Sequence, residues 1–233
     1  MAGQQLGPIE AGHLKNLRDH VREALRKAVL SGQFEVGQRL NERTLAEQLG
    51  VSTTPLKEAI RGLEAEGLLK AEPRRGVFVS FGPAQAEEMS LARAAIESMI
   101  ARQATKNATA DEIDELGAII DRMATATEQA DAALLASLNT QFHDAIRTAS
   151  RCTYLLRLQS LQMVYDDASR ARLLDNAEER KRALTEHSGI MTAIRDRDSE
   201  RAERAMRDHI VRSGEKYAAS LFGRPMNERK ENE

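Results

Sequence analysis

"LSGQFEVGQRLNERTLAEQLGVSTTPLKEAIRGLEAEGLLKAEPRRGVFV", residues 30–79, changes its hydrophobic period once, and that change decides the fold. After "EVGQRL", residues 42–49 read as a short helix closed by Gly50. "VSTTP" opens another. Ser52 is placed to cap it, and Pro55 is tolerated in the first turn, where its missing N–H has no intrahelical partner. Leu56, Ala59, Ile60 and Leu63 form the inward stripe of that helix, which ends near Glu66–Gly67. Then "LLKAE", the turn-like "PRRG" and "VFVSF" read as a small β-hairpin. Two helices with a tight turn, followed by a hairpin, make a winged helix-turn-helix.

Working outward, residues 1–12 carry no usable pattern and are expected to be loose. From His13, the positions Leu14, Leu17, Val21, Leu25 and Ala28 recur at helical steps, and "SGQF" ends that helix with Gly32 suited to the left-handed position. "FGPAQ", residues 81–85, reads as a linker. Beyond it, helices are predicted near 84–106, 110–128, 131–150, 153–175, 178–196 and 198–222, with a disordered tail over 223–233. The predicted fold is mainly α. A winged head occupies 1–80, and an all-α antiparallel bundle of six helices occupies 86–222.

Formal charge is −2 over 233 residues, so the whole chain does not advertise a polyanionic partner. The balance is uneven: residues 1–80 hold 12 Lys/Arg against 10 Asp/Glu, and the remainder 22 against 26. A slightly basic head permits nucleic-acid binding without proving it. One cysteine, Cys152, excludes an intramolecular disulfide framework and any multi-cysteine metal site. Aromatics at 3% and the lack of Trp disfavour a surface that stacks unpaired bases. No apolar run approaches twenty residues and no signal-peptide pattern opens the chain, so a cytoplasmic setting is expected.

The stretch from Leu30 to Val79 resembles the DNA-binding domain of the GntR family of bacterial transcription regulators, with hardly a gap. The resemblance implies that Arg43 on the second helix contacts DNA. It also implies that Ser52, Thr53, Thr54 and Lys57 open the recognition helix, and that Arg74, Arg75 and Gly76 form the wing tip. A winged helix can instead serve protein contact alone; four cations gathered on one face favour DNA. The family commonly has Arg where this chain has Thr53 and Lys57. Arg grips guanine through a two-pronged hydrogen bond that Thr cannot make and Lys replaces only with a point donor, and each lost pair removes about 1–3 kcal/mol of base discrimination. The operator is therefore expected to differ from the usual family half-site.

In the body, "NTQFH" at 139–143 sets an amide and an imidazole four residues apart. His187 lies in the apolar stripe Leu184, Ile190, Met191 and Ile194, and His209 in the stripe Ala202, Ala205, Met206, Ile210 and Tyr217. A single histidine on such a face reads as a satisfied core residue. Three on three helices of one bundle need partners, and a shared cation would serve all of them. His13 and His20, in the first helix, need no ligand role.

The body resembles the FCD ligand-binding domain of the FadR subfamily, through "RAAIE", "NTQFH" and "EHSGIMTAIRDRDSERAERAMRDHI", with six helices as in the vanillate-regulator branch. Metal-binding members carry Asp-x-x-x-His and two later histidines, so the resemblance implies ligands at Asn139, His143, His187 and His209. Asn139 stands where Asp is common; a neutral donor set leaves the ion its full +2 charge and a strong pull on an anion. Three imidazoles suit zinc, and also nickel, copper or iron. The resemblance puts Arg93 near the pocket, where it could pair with an effector carboxylate; the alternative is an ordinary surface pair with Glu97, four residues on.

With the family resemblance, these features imply a DNA-binding transcription regulator, a repressor at the bacterial nucleoid that answers to a small carboxylate at or near a metal; the resemblance also implies a homodimer, which would grip a pseudo-palindromic operator. A metal-responsive regulator is the alternative. A metal enzyme is the remote one, because the chain has no His-Glu-x-x-His, nucleophile motif or glycine-rich phosphate loop.

Overall fold

The computed structural model describes residues 17–160 and 173–223. The chain divides into two compact units, residues 1–85 and 86–233.

In the first unit, α1 (Leu17–Leu30), β1 (Arg39–Leu40), α2 (Glu42–Leu49), α3 (Thr53–Ala65), β2 (Leu69–Glu72) and β3 (Gly76–Val79) follow one another. The Asn41 side chain accepts from the N–H groups of Arg43 and Thr44 at 3.0 and 3.2 Å, which starts α2. Gly50, at φ 67°, ends it in the left-handed conformation, and α3 begins three residues later. Leu56, Ala59, Ile60 and Leu63 of α3 are buried, and α3 packs against α1, whose Val21 and Leu25 are buried too. Arg26 of α1 donates to Glu66, just past α3, at 2.9 Å, which ties the two helices across their ends.

The wing is a three-stranded antiparallel sheet in the order β1-β3-β2, with Arg39 opposite Phe78 and Leu69 opposite Val79. Two strands were expected. The third, β1, is two residues long, too short to show the alternation from which a strand is read. Along β3, Val77 and Val79 are buried while Phe78 is half-buried, as the period of two requires.

The second unit holds α4 (Pro83–Asn107) from Ala86 onward, then α5 (Ala110–Glu128), α6 (Ala132–Ser150), α7 (Thr153–Ser160), α8 (Ala177–Arg195) and α9 (Ser199–Phe222). Thr109 and Glu112 form a reciprocal capping box at the start of α5, and Asp131, Asn176 and Asp198 cap α6, α8 and α9. Short connections make α5/α6 and α8/α9 antiparallel pairs, and α5 also packs on α8. Ile100, Leu116, Met123, Leu138, Phe142, Ile146 and Ile190 are among the large fully buried side chains of this unit. Gly214 of α9 lies so close to Ser90 of α4 that a Cβ there would collide with the Ser90 hydroxyl.

The predicted helix over 153–175 is helical over 153–160, and residues 161–172 lie outside the described residues. Its predicted end overshoots: Asp175 is in a turn and Asn176 caps α8. The expectations for residues 1–16 and 224–233 likewise lie outside the described residues.

Candidate functional site

His143 on α6, His187 on α8 and His209 on α9 are 3%, 1% and 5% exposed, so each helix turns its histidine inward with its apolar stripe. One ligand-capable ring nitrogen from each lies within 4.8 Å of the other two. His143 and His209 stack at 5.4 Å between ring centroids, and Phe142 sets its edge on His187 at 5.1 Å.

The tautomers follow from the partners. His187 Nδ1 is 2.6 Å from the Ala183 carbonyl oxygen, and His209 Nδ1 is 2.8 Å from a Glu186 carboxylate oxygen. Both oxygens only accept, so both Nδ1 atoms carry hydrogen, and the neutral form of each ring presents the lone pair of Nε2. This is how outer partners orient imidazoles that ligate a metal. His143 Nδ1 faces Glu97 Oε2 at 3.1 Å, with both side chains buried. Burial pushes the His143 pKa down to about 4, against the pull of Glu97 and with help from the charges of His209 and Arg147. A neutral imidazole set against Glu97, beside two oriented ones, fits a divalent cation. Asn139, buried one turn earlier on α6, offers an amide oxygen.

The depressed His143 pKa has a consequence for stability. The unfolded chain takes up this proton near pH 6.5 and the native state only near 4, so the contribution is complete above 6.5 and is lost as pH falls towards 4. Metal-free protein is expected to lose about 2–3 kcal/mol of unfolding free energy between pH 7 and 4.5 through this group. Urea unfolding at the two values measures it; equal stabilities would contradict a buried neutral His143.

Arg93 and Glu97 of α4 form a buried pair, Nε to Oε1 at 2.5 Å, so the alternative of an ordinary surface pair does not hold. Burial alone would raise the Glu97 pKa, but Arg93, His143 and Arg147 hold it well below the usual carboxylate range. Arg93 thus stands behind His143 through a charged carboxylate.

Asn139, His187 and His209 also face a cleft of about 670 Å³, counted with its open mouth. Met123, Leu135, Leu174, Leu184 and Tyr217 contribute apolar wall, and Arg93 is not among the described residues lining it. The cations at this cleft are engaged from within: Arg212 donates to Glu179 at 2.7 Å and to Glu186 at 2.8 Å, and Lys216 pairs with Glu179 at 2.9 Å. Burial opposes ionisation of Glu186, yet His209 and Arg212 hold its pKa below the ordinary value. The roles of Glu179, Glu186, Arg212 and Lys216 were not foreseen. The signal available was the seven-residue spacing of Glu179 and Glu186 on α8, matched by His209, Arg212 and Lys216 on α9.

In the first unit, Arg43 is exposed at the start of α2 and pairs with Glu47 at 3.1 Å. Ser52 occupies the cap position of α3 but makes no side-chain capping bond. Thr53, Thr54 and Lys57 are exposed over the first turns of that helix, opposite its buried stripe. Arg74 and Arg75 are exposed in the β2–β3 turn, where Arg75 pairs with Glu72 and lies 5.7 Å over the Phe78 ring. Arg74 adopts φ 65° and Gly76 φ 109°. A Cβ at Gly76 would also crowd the Arg39 guanidinium, a cation beside the wing tip that the sequence did not single out.

Residues 17–79 match the family described as "Bacterial regulatory proteins, gntR family", and residues 88–212 match the FCD domain. The uncharacterized HTH-type transcriptional regulator YdhC of Bacillus subtilis is 28% identical over 80% of this chain and 84% of its own. The HTH-type transcriptional repressor RspR of Escherichia coli is 25% identical over 88% of this chain and 89% of its own. Among solved structures, Escherichia coli McbR/YncC superposes with a TM-score of 0.62 at 24% identity, covering 89% of this chain and 97% of that one.

Proposed function

The chain belongs to the GntR family of bacterial regulatory proteins and carries an FCD domain, and on that premise we propose that it is a repressor released by a small carboxylate bound at a metal in its helical body. That it is a DNA-binding transcription regulator, and not an enzyme, follows from the family itself. In this reading, residues 1–80 form the DNA-binding head, 81–85 a linker, 86–222 the sensing body and 223–233 a tail, and the protein works at the nucleoid. No described helix is long and apolar enough to cross a membrane.

The observation that carries the regulatory reading is the meeting of three buried imidazoles from three helices within 4.8 Å. His143, His187 and His209 would hold the ion, with Asn139 as a fourth donor and zinc the first candidate. A bound divalent ion would supply positive charge and open positions for a carboxylate. Arg93 enters through Glu97, whose carboxylate lies beside His143. The effector must favour the arrangement of the body that does not suit DNA, since equal affinity for both arrangements shifts nothing.

Arg43, Ser52, Thr53, Thr54, Lys57, Arg74, Arg75 and Gly76 are the proposed DNA contacts. Two copies would grip a pseudo-palindromic operator. An apolar strip on α4 supports a second copy: Leu91, Ala92, Ala95 and Met99 are exposed, while Ala94, Ile100, Ala101 and Ala104 face the core. A helix apolar on both sides calls for cover on both.

Selection from random DNA, followed by fluorescence anisotropy on the selected operator, tests the head. The selected site is expected to differ from the common family half-site, and Lys57→Ala to abolish specific retention. An unchanged family site would remove the argument from Thr53 and Lys57, and unchanged affinity of Lys57→Ala would remove the contact assignment. Release of the operator by a carboxylate, only with metal present, tests the body.

A further inference from the structure

We propose that the effector is a monocarboxylate with an apolar body, and that the cleft selects against polyhydroxylated acids such as sugar acids. The inference rests on the carboxylate reading above and narrows it to a ligand class.

It is carried by what the cleft has left to offer. Beyond the histidines and the charged groups, Met123, Leu135, Leu173, Leu174, Leu184 and Tyr217 give a ligand mostly apolar contact, and Asn139 and Ser213 add an amide and a single hydroxyl. The charged groups are engaged with one another: Glu179 takes both Arg212 and Lys216, and Glu186 takes Arg212 and His209. His187 gives its Nδ1 proton to the Ala183 carbonyl. A chain of hydroxyl groups entering this space would find the Ser213 hydroxyl for one of its members; the others would leave water and meet aliphatic carbon, or would have to break one of those pairs. Each stranded hydroxyl weakens binding by about tenfold. An aliphatic or aromatic body gains the same surface instead, while its carboxylate reaches the histidine end.

The test is calorimetric titration of the full zinc-loaded chain with octanoate, phenylacetate, gluconate and octanamide. Octanoate or phenylacetate is expected to bind at least about tenfold more tightly than gluconate, with octanamide weak. Leu184→Gln, a change at a half-buried position, is expected to weaken octanoate about tenfold at unchanged zinc content. Gluconate binding as tightly as either apolar acid would overturn the inference and leave the carboxylate reading standing. Equal binding of octanamide and octanoate, both ahead of gluconate, would keep the apolar class and overturn the carboxylate reading. No binding by any of the four would overturn both. An unaffected Leu184→Gln would remove the wall from the argument and overturn the inference as built on this cleft.

Discussion

Replacing Glu97 with Ala is expected to destabilise the metal-free protein by about 3–5 kcal/mol, the usual result of removing one partner from a buried ion pair. Glu97 is 3% exposed, and its carboxylate serves Arg93 directly, lies beside His143 and stands 4.0 Å from Arg147. Without it, a guanidinium on α4 stays in the protein interior with its carboxylate gone. Arg147 suffers less, because it also pairs with Asp144. Denaturant unfolding after chelation measures the loss free of any metal effect. A second variant apportions it: Arg93→Leu combined with Glu97→Leu removes both charges, and apolar replacement of a buried pair is often near neutral. The double variant is expected to recover most of the stability. Recovery of none would assign the cost to His143 rather than to Arg93. A loss under about 1 kcal/mol in Glu97→Ala would mean that the pair is solvated.

Untagged protein purified without chelator is expected to contain one divalent ion per chain, and His187→Ala none. With free ion at about a thousand times its dissociation constant, the native state gains about 4 kcal/mol. That gain should vanish in the variant as well. The charge of the donor set supplies a second arm. Asn139 contributes no charge, so Asn139→Asp is expected to tighten the ion while weakening the hold on a carboxylate ligand, because the added anion offsets part of the ion's field. Metal absent from the wild type and from Asn139→Asp alike would show that the three imidazoles bind an organic group by hydrogen bonds instead.

Much of this was legible in the sequence, for reasons that differ by residue. Leu56, Ala59, Ile60 and Leu63 announce a helix and its buried face because their spacing is the helical period itself. His143, His187 and His209 were readable as inward because each sits in such a stripe, and burial follows the stripe. Their convergence was inferred from the need of three inward imidazoles for partners and from the family resemblance, since nothing local relates three helices in space. What escaped was tertiary. Glu186 orients His209 from 23 positions away, and the intervening turn carries no mark of that pairing. Arg93 and Glu97 showed the spacing of an ion pair, but α4 has apolar residues on both sides, so no polar face told a buried pair from an exposed one. β1 escaped for want of length.

The turn at the wing bears on how this protein has been shaped. Arg74 holds φ 65°, a conformation that costs an ordinary L-residue about 1 kcal/mol and glycine almost nothing. A turn under selection for stability alone would carry glycine or asparagine there. Instead the most strained position of the hairpin presents a permanent cation to solvent. A consensus-style stabilisation that made the favourable exchange would leave a firmer fold with a blunter instrument, so position 74 belongs outside any such redesign.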